Sequence, residues 1–223
     1  MPMGLNARRR RRRKRAHYIL TDIKAKFDDD EVKWIKSIPS RSAKNTLRKQ
    51  ISNAFQKRKI TRRTGGSLRL NHFLVLFQHE RAAYGTLKGL LVSLLRFYVA
   101  SNMLGVLDEF VDSQGNLLAW TQTVVYGNTL RAMWFYKSTS RAKSSYVWFA
   151  SLRLSVLRCM KLNHVDVVDL GPSANAEVAS LKQKFGFEKD DDWIKRCYLV
   201  GGQQNATFTP CPDLPGVLLS RPY

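Results

Sequence analysis

The chain has 223 residues, enough for one well-buried domain with an appendage and too few for two full domains. Its hydrophobic content of 44% is that of a globular protein, while 38 Lys and Arg against 17 Asp and Glu give a formal charge of +21. No stretch approaches the ~18 consecutive apolar residues of a membrane span; the nearest, "LKGLLVSLLRFYVA", is interrupted by Lys88 and Arg96.

The charge is concentrated at the start. Residues 1–70 carry 22 basic against 5 acidic side chains, a net of +17, and the other 153 carry 16 against 12, a net of +4. Arg8 to Arg15 is a block of eight like charges with nothing to bury, read as disordered when free. It leads into no apolar h-region of the ~7–15 residues a secretory signal needs, and it lacks the amphipathic spacing and serines of an organelle presequence. Residues 1–38 are therefore expected to form a basic, largely disordered arm. The run from Asp28 to Glu31 reads as a balance for nearby arginines, and Trp34 and Ile38 as apolar anchors.

Pro39 and Ser40 mark a boundary. "SAKNTLRKQISNAFQKRKI" then reads as a helix capped by Ser42, with Leu47, Ile51, Ala54 and Phe55 at near-helical spacing and basic residues on its other faces. Gly65-Gly66 closes that section. From Asn71 to Ala100 a helical pattern predicts two helices broken near Tyr84-Gly85. Three runs rich in Val, Leu, Thr and aromatics follow, separated by turn signals at Ser113 to Asn116 and at Gly127-Asn128, which predicts an antiparallel meander.

"SYVWFASLRLSVLRCMKLN" returns to helical spacing, with Phe149, Leu152, Val156 and Met160 on one stripe and Arg158 and Lys161 away from it. Arg153, near that stripe, reads as a surface arginine with a buried stem. "HVDVVDLG" predicts a buried strand, "SANAEVASLKQKFGF" a helix stopped by Gly186, and "DWIKRCYLVGG" a last strand. The fold class expected is α/β: one domain over residues 39–202 with a mixed central sheet, a meander followed by a βαβ-type half, and flanking helices. Residues 203–223 are expected as a tail or edge segment.

Cys159, Cys197 and Cys211 are an odd, scattered set, neither a disulfide framework nor close zinc-ligand pairs. Neither His72, His79 nor His164 has a partner at ligand spacing, so no metal is expected. These features point to an intracellular protein, cytoplasmic or nuclear. No Gly-x-Ser-x-Gly or Walker motif occurs.

This element order resembles the GNAT acyltransferase fold, in its FemAB-like branch. The likeness rests on the basic opening helix, on "LDEFVDSQGNLLAWTQTVVYGNTL" as strand, turn and two strands, on "VDLGPS" as an x-Asp-x-Gly strand end, and on "LKQKFGF" as a Phe-Lys-x-x-Phe-Gly type of helix close. The resemblance implies transfer of an acyl group from acetyl-CoA or another acyl-CoA, or from aminoacyl-tRNA, to an amine acceptor. Direct attack by the amine needs positioning, a proton acceptor and a stabilised oxyanion, not an enzyme nucleophile.

The glycine-rich loop with which the main GNAT branch binds the CoA pyrophosphate is absent: "KSTSRAKSSY" holds no glycine. Its Lys137, Arg141 and Lys143, with Ser144 or Ser145 as cap of the next helix, still make it a candidate phosphate site, or else a solvated basic loop. Asp169 is the candidate catalytic residue, either accepting a proton or capping the turn through Gly171 to Ser173. Gly171 and Lys182 are candidate donor contacts, Lys182 through its motif position and equally readable as an exposed lysine. Tyr126, Trp134, Tyr136 and Trp148 read as packing. The basic third suits tRNA or another nucleic acid as partner, and the competing reading is a non-catalytic RNA-binding protein on a degenerate acyltransferase fold.

Overall fold

A computed structural model describes residues 16–138, 146–173 and 175–191. Seven strands form one mixed sheet in the order β2-β3-β4-β5-β6-β1-β7, flanked by helices on both faces. The chain enters it early. β1 (His17–Leu20) pairs antiparallel with two later strands, and the short helices α1 (Ile23–Phe27) and α2 (Glu31–Ser37) follow.

Residues 17–38 are thus part of the domain, not of a disordered arm. Ile23, Phe27, Trp34, Ile35 and Ile38 are buried in the main core, and burying such side chains stabilises by roughly 1.5–3 kcal/mol each. That apolar content outweighs the polar run Asp28 to Glu31 between them, where Asp30 caps α2 by accepting from Val32 N. Residues 1–15, with the Arg8–Arg15 run, lie outside the described residues.

The basic helix consists of α3 (Arg41–Asn45), a π-helical turn at Thr46–Gln50, and α4 (Ile51–Arg58). Its cap is Ser40, whose Oγ accepts from Ala43 N at 3.3 Å, two residues earlier than the expected Ser42. Leu47, Ile51 and Phe55 point inward as the spacing required. Strand β2 (Thr61–Thr64), four polar residues with no apolar signature, lies at the sheet edge.

The two expected helices are α5 (Leu70–Tyr84) and α6 (Thr86–Ser101), broken at Gly85. The meander is β3 (Val106–Val111), β4 (Leu117–Tyr126) and β5 (Thr129–Lys137), turning where the sequence placed its turns. At the first turn Asp112 Oδ1 accepts from Gln114 N and Asn116 N, both at 2.9 Å.

Helix α7 (Val147–Lys161) crosses back to β6 (Val167–Pro172), which pairs parallel with β5. Then α8 (Ala176–Lys184) leads to β7 (Glu188–Asp190). The expected strand "DWIKRCYLVGG" begins beyond the described residues. A single α/β domain with an antiparallel meander and a parallel strand reached through a helix is the class the sequence called for.

α7 is buried nearly all round, because it lies between the sheet and the layer made by α1 to α4. The single apolar stripe read from its sequence is therefore too narrow. Arg158 is fully buried and makes a two-pronged ion pair with Asp108 of β3, Nη2 to Oδ1 at 2.8 Å and Nη1 to Oδ2. Arg153 is buried on the other side, paired with Glu31 and donating to Leu47 O at 3.3 Å. Arg153 is thus not the surface arginine expected, and Arg158, though off the apolar stripe, is buried as well. The opposite sheet face carries α5 and α6 over a second core of Val75, Leu76, Leu107, Trp120 and Tyr136.

Candidate functional site

β5 and β6 run parallel for three residue pairs, Thr129 with Val167, Leu130 with Val168 and Arg131 with Asp169. There the ladder ends, although β5 continues to Lys137 and β6 to Pro172. The two strands therefore fork. A bulge marks the place: Gln122 and Thr123 of β4 pair with Trp134 and Ala132, leaving Met133 as the extra residue of β5. Such a bulge bends its strand and re-aims side chains, a device common beside active sites.

Asp169 stands at the crotch of the fork, fully buried. Three adjacent strands supply its partners. From β1, His17 Nδ1 lies 3.0 Å from Oδ2 and 3.2 Å from Oδ1; from β5, Arg131 Nε lies 3.5 Å from Oδ2; from β6 itself, Gly171 N donates to Oδ1 at 2.6 Å. The carboxylate thus caps the turn, the second of the two roles read for it, and also faces a histidine and an arginine.

An ionised carboxylate takes a hydrogen bond only from a protonated ring nitrogen. The pairing thus puts the proton of a neutral His17 on Nδ1 and leaves Nε2 as the basic nitrogen. His17 is 3% exposed and Arg131 about one-third exposed. Arg131 is the member of the group that reaches solvent.

Gly171 has φ +67°, a left-handed conformation in which a side chain is strained. Its carbonyl is gripped from α8. Lys182 Nζ donates to Leu170 O at 2.9 Å, Gly171 O at 2.9 Å and Pro172 O at 3.2 Å, and lies 5.3 Å from the centre of the Tyr18 ring. All three ammonium donors go to one turn. Burial pushes the Lys182 ammonium down to about 8, against a smaller upward pull from Asp169. Three acceptors in contact favour the charged form, since a neutral amine has only two hydrogens to give.

The structure therefore gathers Asp169, Gly171 and Lys182 into one assembly. Lys137 is apart from them: six residues along β5 from Arg131, on the order of 20 Å at strand rise, exposed and paired with Ala119. Arg141, Lys143, Ser144 and Ser145 lie outside the described residues. The residue flanking α7 is Tyr146, at φ +56° and with no side-chain cap bond, and Trp148 and Phe149 pack against Phe185 of the helix close.

Sequence reading missed His17, which it assigned to the arm, and Arg131. The available signal was the apolar run "HYIL" directly after the arginines, long enough for a strand. Asp169 lines neither the groove of about 340 Å³ near Asp112 nor that of about 640 Å³ beside Phe185. Among the described residues no cluster of His, Cys, Asp and Glu could hold a metal ion, and no helix is long and apolar enough to cross a membrane.

No protein-family model matches the sequence, and no curated protein matches it. Similar solved structures include a conserved protein of unknown function from Bacteroides thetaiotaomicron VPI-5482, at 10% identity and TM-score 0.48 over 78% of this chain and 56% of that one. L-PGS from Bacillus licheniformis is similar at 12% identity and TM-score 0.45, over 84% of this chain and 65% of that one. A tandem GNAT protein from the clavulanic acid biosynthesis pathway is similar at 15% identity and TM-score 0.42, over 79% of this chain and 50% of that one. The chain spans between half and two thirds of the length of these structures.

Proposed function

We propose that the chain is an N-acyltransferase that moves an acyl group, acetyl or aminoacyl, from a CoA or tRNA carrier to an amine acceptor. The observation that carries this reading is the fork between β5 and β6 with the His17–Asp169–Arg131 group at its crotch. A gap in a ladder leaves backbone N–H and C=O groups on facing strand edges, and an extended acyl arm carrying amides of its own can pair with them.

In this reading the acceptor amine attacks the acyl carbon at the fork and the new C–N bond forms. Backbone N–H groups of β5 hold the developing oxyanion. The amine proton passes to His17 Nε2, whose charged form Asp169 stabilises, and is returned to the departing thiolate or ribose oxygen as its bond to the acyl carbon breaks. Arg131, 3.5 Å from Asp169 Oδ2, sets a positive charge beside that carboxylate. Lys182 fixes the backbone of the turn that forms one wall, a positioning role. FemAB-like membership and the identity of the donor belong to this proposal.

The alternative is a non-catalytic RNA-binding protein on the same fold. One observation favours a nucleic-acid partner: Arg41, Arg48, Lys49 and Lys57 are exposed along α3 to α4, a basic ridge fit for phosphates. The ridge fits a charged tRNA as donor equally well. The test is calorimetric titration with acetyl-CoA at high salt, followed by incubation with acyl-CoA or aminoacyl-tRNA and an amine-bearing pool, read by mass spectrometry. Saturable one-to-one binding with acyl transfer lost in His17→Gln supports the enzyme. Retention of RNA with no transfer from either donor favours the alternative.

A further inference from the structure

Helix α6 is built backwards for a monomer. Its small residues face the protein: Gly89, Ser93 and Ala100 are buried, and a Cβ on Gly89 would meet Arg81 Cα at 2.8 Å, so α5 and α6 touch almost backbone to backbone. Its large residues face out. Leu87 is 74% exposed, Leu91 61%, Leu94 52% and Tyr98 68%, with Leu90 at 37% and Leu95 at 65% beside them.

The steps of four, three and four residues from Leu87 through Leu91 and Leu94 to Tyr98 place these side chains on one line. That is the spacing with which a helix packs along another helix. At roughly 180 Å² for a fully exposed large apolar side chain, these six side chains together present about 640 Å². The largest patch on a typical monomer is about 300–600 Å², and a standard interface buries about 800 Å² per partner.

We infer that this stripe is the interface between two copies of the chain, paired through α6 antiparallel to its counterpart about a two-fold axis. Charge chooses this occupant over a lipid surface. Between residues 71 and 105 the only charged side chains are Glu80, Arg81, Lys88 and Arg96, and Arg96 is paired with buried Glu80. Attraction to anionic lipid draws on clusters of about four to eight basic residues, and this hairpin offers two. The strongly basic α3 and α4 lie over the opposite face of the sheet, where they repel little across the pair.

Antiparallel pairing also separates like charges. The stripe is centred near residue 93, so the axis passes close to Leu94, which meets its own counterpart. Lys88, whose Nζ lies 5.4 Å from the centre of its own Tyr84 ring, then comes opposite Tyr98 of the other copy and away from its own counterpart. The forks stay open, because α5 packs on β4 and β5 and α6 lies against α5 with its stripe exposed to solvent.

The test is light scattering with size-exclusion chromatography on the full chain, at salt high enough to screen its charge, from 2 to 100 µM. The expected mass is twice the 25.6 kDa of the chain. Leu94→Glu and Leu94→Lys should each give monomers with an unchanged far-UV circular dichroism spectrum, since residue 94 is half exposed in its own copy, and mixing the two should restore the dimer. A monomeric wild type at 100 µM overturns the inference. So does a dimer indifferent to both substitutions, or a monomer that co-sediments with vesicles containing phosphatidylglycerol.

Discussion

Replacing Arg158 with methionine should be among the most damaging single changes in the molecule. Arg158 and Asp108 are both fully buried, and the guanidinium meets both carboxylate oxygens while Thr64 Oγ donates to Oδ1 at 2.8 Å. Methionine fills much of the same volume but leaves Asp108 as a buried charge with one hydroxyl for company. Breaking a buried pair from one side costs about 3–5 kcal/mol, which for a domain of this size lowers Tm by about 6–20 °C. The double substitution Asp108→Leu with Arg158→Met removes both charges. Arg158 Nε already lacks an acceptor among the described residues, so the pair itself is imperfectly satisfied. The double variant should therefore recover most of the loss. Differential scanning calorimetry on the wild type, both single variants and the double closes the cycle. A Tm within 2 °C of wild type for Arg158→Met, or a double variant worse than either single, would refute the reasoning.

His17→Gln keeps a hydrogen-bond donor toward Asp169 but no basic nitrogen; it should lower turnover ~10²–10⁴-fold and leave acetyl-CoA affinity within a factor of three, measured by steady-state kinetics beside calorimetry. Lys182 gives up its proton near pH 8 in the folded chain and near 10.5 in the unfolded one, so the unfolded state binds more protons between those values. Stability should then rise with pH across that window, and urea titrations at pH 8 and 10 should show the rise shrinking in Lys182→Met. Gly89→Leu drives a side chain into the Arg81 backbone and should cost about 1–3 kcal/mol by chemical denaturation, the added helix propensity notwithstanding.

What the sequence made legible were elements with a period and a stop. The α5 to α6 break, the meander and its two turns, and the helix closed by Phe185-Gly186-Phe187 all carry such signals. What it hid were elements whose signal comes from partners. β2 is four polar residues whose strand character exists only because β3 pairs with it. β1 is four residues deep in a basic region, and its burial comes from two strands more than a hundred residues downstream. Arg153 reads as a surface arginine, and Arg158 as lying off the apolar stripe, because periodicity tells which face is most apolar, not how many faces are covered. α7 has the sheet on one side and α1 to α4 on the other.

The candidate site shows the same division. Asp169 and Gly171 were legible together as a strand end, because an Asp that caps and a Gly that turns are local chemistry. Their neighbours were not, because His17 and Arg131 reach Asp169 across 152 and 38 residues of chain. Capping the turn does not keep Asp169 from facing His17 and Arg131. Oδ1 holds the turn through Gly171 N, and Oδ2 is the nearer oxygen to both His17 and Arg131. One carboxylate can thus fix the wall of the fork and set the tautomer of the base beside it. Asn at position 169 can still accept from Gly171 N yet has no charge to stabilise a protonated His17, so it separates the two roles that alanine would remove together.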